Sequence, residues 1–265
     1  MTNAQSLMNK FDEVQVLFQQ HDIDIGVITE SWFSAGVPDN LMSIQNYNLF
    51  SKCRDSQRGG GVAVYVREQI PASLVDNIIV PDQLECIWVK IRPTRLPRGI
   101  SSIVLCAVYI TTNSPHQEHL LEHILQNIDN LRTDNPEIGI VVLGDFNRMN
   151  VNSLVRGNDM FQIVDFCTRA EATLDLILTN SKLNSLYCKP KALAPIGSSD
   201  HVCIIWKPKC RIIDNAISTK TFSPMHDSCI RSFGTWIQNQ DWNSVLNCTS
   251  VQDKTHTFTS YLIMP

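Results

Sequence analysis

Seven short apolar runs, rich in β-branched residues and each ended by a polar or turn-forming residue, limit what this chain can fold into. They are Ile23–Thr29, Val62–Val66, Leu84–Ile91, Ser102–Ile110, Ile138–Leu143, Thr173–Thr179 and Val202–Trp206. Each has the length of a strand and falls far short of a membrane span. Helical signals lie ahead of them and between them. Leu7, Phe11, Val14 and Phe18 fall on one face of a helix predicted over residues 3–20. Ser114-Pro115 is a favourable helix start, and Leu120, Ile124, Ile128 and Leu131 carry that helix to Asn135-Pro136, which stops it. Strands alternating with helices, mixed with hairpin-like strand pairs, predict an α/β layered sandwich.

The pattern changes past Lys207. Residues 1–207 read as one domain, and residues 208–265 as a linker-like segment with one predicted helix, Cys229–Gln240. A hydrophobic share of 43% against 18% charged residues excludes wholesale disorder. Met1-Thr-Asn-Ala-Gln-Ser6 lacks the basic start and apolar core of a secretory signal, so an intracellular setting is expected. The nine cysteines are scattered with no close CxxC spacing, which predicts reduced, buried thiols. The net charge of −4 lacks the basic footprint of a nucleic-acid-binding protein. A carboxylate-rich metal site would add to that acidity, and Lys52, Arg54, Arg58 and Arg67 form the densest basic cluster.

Four places join a strand end to residues suited to metal and phosphate chemistry. Glu30 closes the first apolar run. Gly144-Asp145-Phe146-Asn147 follows Ile140–Leu143, and alternation along a strand puts Asp145 and Asn147 on one side. A carboxylate beside an amide can hold a phosphate, orient water or share a cation. Asp175 sits inside the apolar run Leu174–Leu178, where a buried charge needs a partner. Gly197-Ser-Ser-Asp200-His201 precedes the last run, and His201 is the partner expected for Asp175, within hydrogen-bond reach. Glu30 and Asp200 are the hard oxygen ligands suited to Mg²⁺, with Mn²⁺ as a substitute. Asp145, or the Asp175–His201 pair, would deprotonate or orient an attacking water. All of these groups are expected to converge at one rim of a two-sheet sandwich.

In this order, strand-Glu30, Tyr109, Gly144–Asn147, Leu174–Ile177 and Ser199–His201 resemble the endonuclease/exonuclease/phosphatase superfamily. That resemblance implies a four-layer α/β sandwich of two packed mixed sheets, as in DNase I-like proteins. A closer likeness is to the endonuclease domain of non-LTR retrotransposons. It is carried by Asn3-Ala-Gln-Ser-Leu7, Ile28-Thr-Glu-Ser-Trp32, Arg58-Gly-Gly-Gly-Val-Ala-Val-Tyr65, Cys167-Thr-Arg169, Thr173–Asn180 and Pro195–His201. The tail with Phe233, Trp236 and Asp241-Trp242 is similar to the connector that leads to a reverse transcriptase in that group. No polymerase follows here, so the chain is expected to be a truncated element or a fragment, and a monomer.

The resemblance assigns roles by position. Asn3, Glu30 and Asp200 would sit at the metal, and Tyr109 would touch the scissile phosphate or leaving oxygen. Asp145 would activate water or assist the leaving group, Asn147 would position the phosphate, and Asp175 would orient His201. Two departures stand out: Ile110-Thr-Thr-Asn113 follows Tyr109 where the family often has Arg-Pro-Pro, and the strand that normally precedes Asn3 is missing. The partner implied is DNA, nicked to prime reverse transcription. The alternatives are a phosphoesterase acting on lipid, inositol or RNA, and an inactive module that keeps the fold.

Overall fold

A computed structural model describes residues 1–33, 42–54, 59–94, 96–209 and 226–263. The chain divides into two units, Met1–Arg211 and Ile212–Pro265. In the first unit, β1 (Thr2–Asn3), β2 (Ile25–Thr29), β3 (Tyr47–Lys52) and β4 (Val62–Arg67) form a sheet ordered β1-β2-β4-β3. The strands β5 (Ala72–Leu74), β6 (Glu85–Ile91), β7 (Ser102–Tyr109), β8 (Ile138–Asp145), β9 (Met160–Gln162) and β10 (Asp175–Asn180) form a second, ordered β5-β6-β7-β8-β10-β9. A hairpin of β11 (Lys191–Leu193) and β12 (Cys203–Ile205) follows. Both larger sheets are mixed: β1 runs parallel to β2 and β7 parallel to β8, and the other neighbours are antiparallel. The helices are α1 (Phe11–His21), α2 (Gln117–Asp134), α3 (Asn152–Gly157) and α4 (Ser181–Leu186).

Strand period and helix period together generate the layers. Along β7, Ile103, Leu105 and Ala107 pack with Val27, Val62, Val64 and Val66 of the other sheet. Val104, Cys106 and Val108 alternate with them and pack with Leu120, Ile124 and Ile128 of α2. The first sheet repeats the device, its opposite face placing Ile28, Ala63 and Tyr65 against Val14 and Phe18 of α1. Both sheets are thus buried on two faces, which is why their runs show no polar alternation. The result is the four-layer α/β sandwich expected from the sequence. The parallel β7–β8 pair needs a crossover connection, and α2 supplies it. No helix among the described residues is long and apolar enough to cross a membrane.

Several elements differ from the sequence reading. The helix predicted over residues 3–20 begins only at Phe11. Thr2–Asn3 is instead a strand, and a turn with Gln5 and Ser6 at φ 44° and 79° intervenes, so the apolar spacing of Leu7 continues across non-helical backbone. Thr2–Asn3 pairs in parallel with β2. Its outer edge is covered where Met1 and Ile204 exchange hydrogen bonds, 2.8 Å each way. The longer helix opens at Gln117, and Ser114 Oγ accepts the His116 N–H (3.2 Å) instead of capping the helix itself. Among the described residues, the second unit holds three helices, α5 (Asp227–Asn239), α6 (Asn243–Leu246) and α7 (Val251–Ile263), where one was expected. The Trp242 ring meets Trp236, Phe258 and Tyr261 there, with centroids 5.6–6.2 Å apart.

Gly144 is a requirement of this packing. It has φ 147°, and a Cβ on it would lie 1.8 Å from the Val108 carbonyl oxygen on the neighbouring strand. Gly144→Ala is expected to lower stability by about 3 kcal/mol in urea unfolding, the scale of an overpacked core. A cost near zero would show that β7 and β8 separate freely at this point.

Candidate active site

The C-terminal ends of β1, β2, β7 and β8 and the N-terminal ends of the antiparallel β6 and β10 meet at one rim, and the polar side chains found there are tied to one another. Asn3, fully buried on β1, donates from Nδ2 to Glu30 Oε1 (2.9 Å) and to Asp145 Oδ2 (2.8 Å). Glu30 stands just past β2 at φ 51°, and Asp145 ends β8, so this one amide joins the two sheets. The Tyr109 hydroxyl, at the end of β7, donates to the same Glu30 Oε1 (3.2 Å). Trp32 Nε1 donates to Glu30 Oε2 (3.3 Å). The carbonyl oxygen of the Asn3 side chain accepts the Gln5 N–H (3.0 Å).

Asp145 is almost wholly buried and its Oδ1 accepts the Asn147 N–H (2.9 Å). Asn147, at φ 48°, donates from Nδ2 to the Ile110 carbonyl (2.6 Å), and its Oδ1 accepts the Thr112 hydroxyl (3.2 Å). Asp175 on β10 lies opposite Asp145 in the ladder, and its Oδ2 is 2.6 Å from His201 Nδ1. Asp175 and His201 are both buried. With Nδ1 turned to the carboxylate, His201 Nε2 is left for other partners, and it lies 3.8 Å from Asp200 Oδ1.

Burial and charge shift these groups in ways that bear on proton chemistry. Desolvation, reinforced by the nearby Asp175, pushes the Asp145 carboxyl up to about 6, against the lowering effect of the Asn147 and Asn3 hydrogen bonds. Burial is the largest single effect at His201 and works against a charged imidazolium, but the Asp175 hydrogen bond and the Asp175, Asp145 and Asp200 charges together outweigh it. His201 is therefore raised above the ordinary histidine value. Burial also raises the Tyr109 phenol, helped by the Glu30 and Asp145 charges.

Could a divalent cation fit? Asp145 and Asp175, with Glu30 joined to Asp145 through Asn3, make an oxygen-rich donor set of the kind hard cations take. Among the described residues, the ligand atoms of Asp145, Asp175 and His201 lie within 4.8 Å of one another. Asp175 Oδ1 is buried with no hydrogen-bond partner among the described residues, an orphan that a cation or a substrate donor would satisfy. The donor set fits.

Of the residues singled out in the sequence, Asn3, Glu30, Tyr109, Asp145, Asn147, Asp175 and His201 come together here. Asp200 is turned elsewhere: its Oδ2 accepts from Arg169 Nε (2.6 Å) and its Oδ1 from Gln5 Nε2 (2.8 Å), and its side chain is 48% exposed. Arg169 and Gln5 were given no role by the sequence reading, although both lie within its motifs. Glu85 was also missed, and Arg54 was named only as part of a basic cluster. Arg54 forms an ion pair with Glu85 and lies 5.8 Å over the Tyr109 ring, and Glu85 sits opposite Tyr109 in the β6–β7 ladder. Glu85 Oε2 also accepts the Gly61 N–H (2.5 Å), and Gly59, Gly60 and Gly61 all hold positive φ. A Cβ on Gly60 would lie 2.3 Å from Glu85, so the triple glycine makes room for the pair that steadies Tyr109. Arg58, of the same basic cluster, lies outside the described residues.

The sequence pattern described as Endonuclease/Exonuclease/phosphatase family matches residues 2–201, three quarters of the chain and every residue of this site. The chain belongs to the endonuclease/exonuclease/phosphatase family. Solved structures in the same fold include the endonuclease domain of TRAS1, a telomere-specific non-LTR retrotransposon, at 13% identity and TM-score 0.57 over 76% of this chain and 93% of that one. An AP endonuclease from Leishmania major is similar at 13% identity and TM-score 0.59, over 78% and 86%. A 3′ phosphatase from Neisseria, solved with a product DNA hairpin, is similar at 14% identity and TM-score 0.55, over 78% and 97%. No curated protein matches the chain by sequence. At such identities the solved structures speak for the family fold alone.

The raised carboxyl of Asp145 has a thermodynamic consequence. A carboxyl whose folded value lies above its unfolded one binds its proton more tightly in the folded state, so its stabilisation is complete below about pH 4 and is lost as pH rises through about 6. His201, also raised, acts in the same direction at higher pH. In divalent-free buffer, Asp145→Asn is expected to remove up to about 3 kcal/mol of the stability loss between pH 4 and pH 7. Parallel pH–stability curves for the two proteins in urea titrations would show that Asp145 is not held protonated by its surroundings.

Proposed function

We propose that this chain is a divalent-metal-dependent phosphodiesterase that nicks DNA, of the kind found in non-LTR retrotransposons. The observation that carries the reading is the buried network in which Asn3 joins Glu30 to Asp145 while Asp175 holds His201. It gathers cation ligands, a proton acceptor and a proton donor at one rim without a cysteine or serine nucleophile. The choice of DNA rests on the retrotransposon-like flanks of the motifs, from Asn3–Leu7 to Pro195–His201.

Glu30 and Asp200 would hold Mg²⁺ or Mn²⁺, with Asn3 beside them, and the ion would supply neutralisation of charge on the phosphoryl and leaving oxygens. The remaining work falls to the chain. Asp145, an uncharged acid below about pH 6 and a carboxylate above it, accepts a proton from the attacking water. His201, its Nδ1 committed to Asp175, presents Nε2 to the phosphate and is helped by that carboxylate to carry positive charge. The 2.6 Å contact inside the Asp145–Asp175–His201 group makes it a proton-handling trio. Asn147, its amide nitrogen and oxygen anchored by Ile110 and Thr112, positions the phosphate. Tyr109 is aimed by Glu30 on one side and Arg54 on the other toward the same reacting centre.

The test is conversion of supercoiled plasmid to open circles by the purified chain with Mg²⁺, and with Mn²⁺ in parallel. Nicking is expected to require the divalent ion and to fall by at least about 100-fold in Asp145→Ala and in His201→Ala, the range for loss of an acid–base group. No nicking by folded protein with either metal would remove the DNA reading. Turnover of an inositol phosphate or lipid substrate would then identify a different phosphoesterase, and none at all a module that keeps only the fold.

A further inference from the structure

The structure leaves one disagreement at the site. Asp200 belongs with the cation by its place in the motif, yet both of its oxygens are engaged by Arg169 and Gln5. Arg169 is bound to this corner by its backbone as well, since it bridges His201 and Ala172 in antiparallel register. Its guanidinium touches Asp200 through Nε alone, and its two terminal nitrogens make no hydrogen bond among the described residues. The side chains of the pair are 43% and 48% exposed. Ion pairs at that exposure are held weakly and exchange readily for a better partner.

We propose that Arg169 is a phosphate-binding residue of this site whose charge is borrowed by Asp200 until substrate arrives. The inference rests on the phosphodiesterase reading and deepens it. A guanidinium matches a phosphodiester better than a single carboxylate contact, because two parallel N–H groups meet two phosphoryl oxygens. When a phosphate takes Arg169, Asp200 loses its cationic partner one residue from His201 and becomes available to the divalent ion. Phosphate and cation then bind with positive coupling, and the coupling is reciprocal by thermodynamic necessity. Free protein would carry a cation site weakened by an internal cation. That arrangement discourages metal loading before substrate is present.

The test reads metal binding directly, without turnover. The Mn²⁺ affinity of the full chain is measured by electron paramagnetic resonance, alone and with dimethyl phosphate as a single phosphodiester anion. Arg169→Ala, and Arg169→Met as a variant that keeps the length of the side chain, are expected to bind Mn²⁺ about 3- to 10-fold more tightly than the parent. The parent is expected to gain affinity when dimethyl phosphate is added, and the variants to gain none. In an Asp200→Asn background the Arg169 substitutions should change nothing, because the cycle isolates the pair from general charge effects. Equal Mn²⁺ affinity in parent and folded Arg169 variants would overturn the proposal, as would an Arg169 effect that persists without Asp200. Metal coupling seen in a protein that nicks no plasmid would sink the nuclease reading and leave this one standing. Nicking without coupling would do the reverse.

Discussion

A single buried amide holds the site together. Asn3 reaches from β1 to carboxylates carried by two different sheets, one on Glu30 and the other on Asp145. Both acceptors prefer water to an apolar interior, and burying them without donors would cost several kcal/mol. The two-layer β core brings them close, and the amide makes that closeness tolerable. Asn3 is itself held by the Gln5 N–H on its side chain and by the Ser199 hydroxyl on its backbone carbonyl (2.7 Å). That last contact ties the segment before His201 to the opening residues of the chain. The carboxylates at β2 and β8, the turn at Gln5 and the loop of Ser199–His201 therefore share one anchor.

Around that anchor the fold sorts the titratable groups by environment. Asp145 and Asp175 face one another across the β8–β10 ladder, so their charges oppose each other. His201 stands by Asp175 and relieves part of that repulsion. The outcome is a carboxyl near neutrality beside a histidine that favours its proton, which is the pairing acid–base chemistry needs. Glu30 is stabilised differently, by three donors on Asn3, Tyr109 and Trp32. Asp200 is the exposed member, within reach of solvent and of Arg169. A gradient from buried trio to exposed rim thus runs through one small region.

Much of this was legible in the sequence because it depends on short-range pattern. Continuous β-branched runs require a sheet covered on both faces, and Gly144-Asp-Phe-Asn147 after such a run places its polar pair at a strand end. The Asp175–His201 pairing followed from the cost of leaving an acid alone inside Leu174–Leu178. Other features depend on long-range choices that no local pattern carries. Arg169 and Asp200 are 31 residues apart, and Arg54 and Glu85 likewise. β3 was hidden in a polar stretch because it is half-buried along its length. α7 was missed because its exposed residues, many of them Thr, show little helical apolar stripe. The helix expected from Asn3 failed for the opposite reason: a correct apolar spacing ran on through a turn.

The strand ends of the two sheets are proposed to form one cation-binding phosphoester site around Asn3. Mn²⁺ titrated into isotopically labelled protein tests it most directly, since the ion erases nuclear magnetic resonance signals only near itself. The Asn3 side-chain amide and the backbone signals of Glu30, Asp200 and His201 are expected to vanish first, at low ion-to-protein ratios. Loss centred on any other part of the chain, or uniform broadening with no first residues, would contradict it.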